Sequence, residues 1–281
     1  MKYLIVVDSS ADLANKDFNG SLTKVSSVPL KIITSLKEYV DDGTLNVEVM
    51  VNELEDYKGR SSSSCPNPSD WLEAFGDAEN IFCVTITSGL SGSYNSACMA
   101  KEEYESEHTD RRVFVIDSLS TGPEMGLIVD KLLELIESGC DFDKICKEIK
   151  RYQAKTGLLF MLESMKNLAN NGRVSPIVAK LAGILGIRVI GKASDVGTLE
   201  QLEKARGEAK ALPAILGQMK ALGYSGGKVK IAHCINPRSA KSLSDMIKRE
   251  FKKAKVEIYA CRGLCSFYAE RGGLLVGFEK N

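Results

Sequence analysis

The chain has 281 residues, 44% of them hydrophobic and 26% charged, values ordinary for a soluble globular protein and sufficient for a sizeable core or two domains. Lysine plus arginine and aspartate plus glutamate each number 37, so no bulk field draws the molecule to nucleic acid or to an anionic membrane surface.

The apolar residues at 3–7 meet Asp8 at once, too short a run for a signal peptide, and read as a first strand over 2–7. It ends in Asp8-Ser9-Ser10-Ala11-Asp12, polar residues where open α/β sheets hold ligands, although Ser9 or Ser10 serves equally well as a helix cap. A second strand is expected over 25–33, a turn over 39–43 and a helix over 47–57. Asn67-Pro68 starts a helix whose Trp71, Leu72 and Phe75 face the core. A buried strand at 81–84, a helix over 94–104, a strand over 113–117 and helices over 123–137 and 142–154, the last capped by Asp141, follow in alternation. That rhythm predicts a mainly parallel sheet wrapped by helices.

Beyond 154 the rhythm changes. A strand at 157–161, a short helix at 164–169, a loop at 170–176 and a helix at 177–185 precede a strand pair, 187–192 and 198–204, around Asp195-Val196-Gly197. Then come a helix over 207–222, a strand over 229–234, a helix over 238–251, a strand over 256–260, a short helix over 264–270 and a last strand over 274–278. The fold class expected is α/β in two domains: residues 1–153 as the parallel-sheet domain and 154–281 as an α+β domain.

No apolar run approaches the length of a membrane span. Eight cysteines are scattered without a C-x-x-C pair, several inside apolar patterns, and the only histidines are His108 and His233. Free cysteines used as small hydrophobes indicate a reducing cytoplasm, and no metal site is expected.

At Thr85-Ile86-Thr87-Ser88-Gly89-Leu90-Ser91-Gly92-Ser93-Tyr94 an apolar strand runs into hydroxyls and glycines just before a helix. Unpaired backbone N–H groups at the helix start attract anions, Gly89 and Gly92 allow close approach, and Ser88, Ser91 and Ser93 offer donors. One capping serine among turn residues is the plainer reading. A second stretch, Ser61-Ser62-Ser63-Ser64-Cys65-Pro66-Asn67-Pro68, precedes the helix bearing Trp71.

Together the two stretches resemble the DegV family of bacterial lipid-binding proteins, which show Thr-Ser-x-Pro-x-Pro before a helix and Ser-Gly-Leu-Ser-Gly-Thr-Tyr after a strand. Asn171-Gly172-Arg173-Val174-Ser175 is similar to the family's Gly-Gly-Arg-Ile-Ser, Arg206-Gly207-Glu208-Ala209-Lys210 to its Arg-Gly-x-x-Lys, and Ile231-Ala232-His233 to its Ile-Ala-His. Cys261-Arg262-Gly263-Leu264-Cys265 departs from the family's His-x-Gly-Pro-Gly. The resemblance implies one long-chain fatty acid in a tunnel between or beside the two domains, its carboxylate held by hydroxyls of Ser63, Ser64, Ser88, Ser91 and Ser93 beside Gly92. Arg173 stands at the head group, Cys261 replaces the family histidine, and Arg262 is a substitute positive charge.

It further implies a non-catalytic protein without cofactor, which takes a fatty acid from the membrane in transient contact and presents it to an ATP-dependent kinase resembling dihydroxyacetone kinases. The chain has no G-x-x-x-x-G-K-[ST] loop of its own. The competing expectation is a serine hydrolase with Ser91 as nucleophile and His233 or His108 as base, although Gly89-Leu90-Ser91-Gly92-Ser93 misses G-x-S-x-G at its last position. Leu158, Leu159, Ile184, Leu185 and Ile187 suit either a tunnel wall or ordinary core.

Overall fold

Strand β1 (Tyr3–Asp8) carries Leu4, Ile5, Val6 and Val7 in succession, all buried. Such an unbroken apolar run needs cover on both faces, the condition of an interior parallel strand. In this computed structural model, which describes residues 2–13, 23–175 and 186–280, β1 lies inside a four-stranded parallel sheet ordered β2-β1-β6-β7. Its partners are β2 (Lys24–Val28), β6 (Asn80–Thr85) and β7 (Arg112–Asp117). Alternate residues point to opposite faces. Ile5, Val7, Phe82 and Val84 pack with helices α4 (Gly122–Glu137) and α5 (Phe142–Gln153), whereas Leu4, Val6, Ile81 and Cys83 pack with α2 (Pro68–Phe75) and α3 (Ser93–Glu107).

Local signals set most boundaries. Asn67 and Asp70 form a capping box around Pro68, and Asp141 accepts the N–H of Lys144 at the start of α5. Trp71 and Phe75 are fully buried, but Leu72 is only partly so. The strand expected over 25–33 is divided, because Pro29 has no N–H to continue a ladder. Leu30 donates its N–H to Ser9 Oγ (3.0 Å), and β3 (Lys31–Ile33) begins a separate antiparallel sheet between β4 (Glu38–Val40) and β5 (Ser62–Ser64). β4 thus takes up part of the expected turn over 39–43. Helix α1 (Val47–Asp56) connects β4 to β5.

A six-stranded mixed sheet, ordered β10-β9-β8-β13-β11-β12, fills the second half. It comprises β8 (Thr156–Leu162), β9 (Ile187–Ala193), β10 (Leu199–Arg206), β11 (Lys228–His233), β12 (Lys255–Ala260) and β13 (Leu274–Glu279). Only β11 and β12 pair in parallel, and β9 with β10 is the expected hairpin. Helices α7 (Glu208–Ala221) and α8 (Pro237–Glu250) cover one face with Ile215, Met219, Leu243 and Ile247. The short helices α6 (Lys166–Asn170) and α9 (Gly263–Ala269) lie on the opposite side with Leu158, Phe160 and Leu162. The expected helix over 177–185, with Ile184 and Leu185, falls outside the described residues.

Helix α4 joins the two sheets. Twelve of its sixteen residues are buried, as expected of a helix with apolar neighbours on all sides, and it packs on β1 and β6 of one sheet and on β8, β11 and β13 of the other. Gly277 permits this approach, since a Cβ there would lie 2.6 Å from the Glu124 backbone nitrogen. The boundary expected at 153/154 falls where α5 turns into β8. No described helix is long and apolar enough to cross a membrane.

Candidate functional site

The turn between β6 and α3 is folded by its own hydroxyls. Leu90 and Ser91 both donate backbone N–H groups to Thr87 O (3.3 and 3.2 Å), and Ser91 Oγ accepts from Ser93 N (3.2 Å). Thr87 Oγ1 donates to Gly197 O (2.8 Å), which straps the turn to the β9–β10 hairpin. Gly197 has φ +74°, and a Cβ there would come within 2.0 Å of Thr87 Oγ1, so only glycine fits.

Beside this turn opens a cavity of about 260 Å³. One wall is apolar: Leu158, Phe160 and Leu162, alternate residues of β8, with Leu168, Leu199 and Leu275. Another part carries Ser63 and Ser64 from β5, Ser91 and Gly92 from the turn, and Arg173. The two serine-rich stretches are neighbours, because a Cβ on Gly92 would stand 3.2 Å from Cys65 Sγ. Arg173 is the only charged residue among the described wall residues. Leu159 points to the other face of its sheet, into the core under α7, as strand alternation requires; Ile187 is not on the wall.

Four expected head-group residues lie elsewhere. Ser88 is exposed and its N–H is bound by Asp117 Oδ1 (3.1 Å). Ser93 is buried with its hydroxyl given to Asp8 Oδ2 (2.6 Å). Asp8 also receives Ser10 N, Ser10 Oγ and Ile86 N, and burial still pushes its carboxyl above the usual range against those four hydrogen bonds. Ser93→Ala therefore removes one donor from a buried acid and is expected to lower the unfolding free energy by about 1.5–3 kcal/mol, measured by urea denaturation.

Arg262 is turned inward. Its guanidinium donates to Leu13 O (2.6 Å) and Asp41 O (3.3 Å) and pairs with Asp41 Oδ1 (3.5 Å). Asp41 accepts the N–H groups of Gly263 and Leu264 (both 3.0 Å), and Asp12 Oδ1 accepts that of Arg262 (2.7 Å). The two acids thus clamp the start of α9, which carries Leu264, Cys265, Tyr268 and Ala269 into the cavity wall. Cys261 is buried outside the wall, and burial pushes its thiol well above the ordinary range, with Asp12 adding to the rise.

Burial also lifts Asp12, to about 7, with Asp41 adding to it and the Arg262 N–H opposing. Among the described residues Asp12 Oδ2 has no hydrogen-bond partner. The unfolded chain, with its carboxyl near 3.8, holds fewer protons than the folded one between about pH 4 and 7. Stability contributed by this group is therefore full at low pH and lost as pH rises through that window, by about 4 kcal/mol over the interval. Asp12→Asn keeps an acceptor for Arg262 N, and its unfolding free energy is expected to gain on the wild type between pH 4 and 7; parallel pH profiles would contradict this.

Tyr268, Thr121 and Cys265 belong to the wall without having been anticipated from sequence. The spacing of Cys265, Tyr268 and Ala269 is that of one helix face, and this was the available signal. Neither histidine is on the wall: His233 Nδ1 accepts from Asn236 N (3.3 Å) with burial lowering its pKa, and the His108 ring stands edge-on to Tyr104 at 5.1 Å. Among the described residues no three His, Cys, Asp or Glu side chains are grouped to hold a metal ion.

Fold and site together define an α/β protein of two large sheets and a small third one, with a slot for an apolar chain that ends in hydroxyls and one guanidinium. A family model described as an uncharacterised protein, DegV family, matches residues 2–281, and the chain belongs to the DegV family. A DegV domain-containing protein of Streptococcus pneumoniae is 43% identical over 279 residues, 99% of each chain. The Streptococcus pneumoniae Fatty Acid Kinase (Fak) B3 protein, loaded with linoleic acid, superposes with a TM-score of 0.98 at 43% identity over 100% of both chains. A DegV family protein from Eubacterium eligens, loaded with heptadecanoic acid, gives 0.96 at 45% identity over 99% of this chain and 100% of that one.

Proposed function

We propose that this chain binds one long-chain fatty acid, with the tail along Leu158, Phe160 and Leu162 and the carboxylate at Ser63, Ser64, Ser91, Gly92 and Arg173. The observation that carries the reading is the meeting of hydroxyls from β5 and from the β6–α3 turn, with Arg173, in one otherwise apolar cavity. About ten buried methylenes contribute roughly 8 kcal/mol before entropic costs, so the net of about 8 kcal/mol that micromolar affinity needs requires more of the tail to be buried. The polar groups offset the several kcal/mol that a buried carboxylate would otherwise cost, and the positive end of α3 favours the anion. They fix which end faces out more than they hold the ligand.

The fatty acids carried by the pneumococcal and Eubacterium proteins support this ligand class, and the name Fatty Acid Kinase B3 supports a kinase system. In our reading the chain makes no bond itself. It collects a fatty acid in transient contact with a membrane and presents the carboxylate to an ATP-dependent kinase similar to dihydroxyacetone kinases, which forms the acyl phosphate. A hydrolase built on Ser91 finds no imidazole or carboxylate on the described wall to act as base. All eight cysteines are free, in keeping with the cytoplasm, and residues 1–153 and 154–281 act as two domains enclosing the lipid.

Organic extraction of the purified protein is expected to release fatty acid by mass spectrometry, or the delipidated chain to take up linoleate. An empty extract together with no uptake of linoleate or palmitate overturns the reading. Loaded protein, ATP and such a kinase should yield acyl phosphate, and none should form when the kinase is omitted.

A further inference from the structure

We infer that Tyr268 is a positioning residue for the fatty acid carboxylate, acting through Ser63; the inference rests on the lipid-binding reading above and deepens it. Tyr268 Oη lies 2.6 Å from Ser63 Oγ across 205 residues of sequence, and both side chains are on the cavity wall. Each hydroxyl carries one proton, so the bond between them consumes one and leaves one to offer. When Ser63 gives its proton to the carboxylate, its oxygen must accept from Tyr268, and the phenol, the more acidic of the two, suits the donor's place.

The phenol is held for this work. The Phe267 ring lies edge-on to that of Tyr268 at 4.8 Å, and α9 is fixed at its start by Asp41 and Asp12. Ser63 is fixed in turn by its place in β5, opposite Ile32 of β3. A serine rotor without such a partner would sample three positions and present its proton to the ligand in only some of them. In a partly buried site the chain Tyr268 to Ser63 to carboxylate also strengthens each of its bonds. Of the residues that the sequence offered for the head group, Cys261 is buried outside the wall and Arg262 is engaged by Asp41, whereas Tyr268 is the α9 side chain that reaches Ser63 by a hydrogen bond.

The test compares linoleate with linoleyl alcohol, which has the same tail and no carboxylate, on the delipidated protein. Tyr268→Phe keeps the ring and is expected to weaken linoleate about tenfold while changing linoleyl alcohol less than twofold. Ser63→Ala and the double variant should each show about the same tenfold loss, because a chain broken at either link is broken. Equal losses for acid and alcohol would mean that the ring only packs, and a hundredfold loss in the double variant would mean independent roles; either overturns the inference while leaving lipid binding intact. No uptake of linoleate by the unaltered protein overturns both.

Discussion

Asp41→Ala is expected to lower the unfolding free energy by about 3–5 kcal/mol, because it leaves the buried Arg262 guanidinium without its carboxylate and frees the Gly263 and Leu264 N–H groups together. Among the described residues no other acid pairs with the Arg262 guanidinium: Asp12 accepts its backbone N–H. Denaturant midpoints measure the loss, and the adjacent Asp42→Ala is the control. Asp42 is exposed and accepts from Thr44 N and Oγ1 within its own turn, so its removal should cost under about 1 kcal/mol. Similar midpoints for the two variants would refute the clamp. Because α9 supplies four residues of the wall, Asp41→Ala should also weaken linoleate in whatever fraction remains folded.

Filling the cavity is the complementary experiment. Ala269 closes α9 on the wall, and Ala269→Phe places a ring in a space of about 260 Å³. If the ring excludes three methylenes of the tail, affinity for linoleate falls about fifty-fold. The unliganded protein should melt no lower than the wild type, since the ring occupies existing space rather than forcing a packed core apart. An eight-carbon acid, which needs less of the tail wall, should lose much less. Unchanged linoleate affinity with the ring in place would move the tail to another part of the molecule.

Most elements could be read from the chain alone because their signals are local. The run Leu4 to Val7 demanded cover on both sides, Asp141 and Asn67 fixed helix starts, and Asp195-Val196-Gly197 marked the hairpin of β9 and β10. Pro29 was an equally local signal for the break between β2 and β3, masked by apolar residues on both sides that keep the strand pattern going.

The sequence by itself also determined the ingredients of the site: a hydroxyl-rich turn after β6, a second hydroxyl-rich stretch before α2, and an arginine further on. It could not assign them. Ser91 and Ser93 differ by two positions in one turn, yet only Ser91 faces the cavity, because Ser93 is claimed by Asp8, 85 residues away. Arg262 is claimed by Asp41 across 221 residues, and Tyr268 meets Ser63 across 205. Periodicity and capping act over a few residues and decide which backbone shape a segment adopts. Where a polar side chain ends is decided by the buried partner that spares it an unpaired burial, and here that partner arrives from the far side of the chain only once the two sheets have closed on α4.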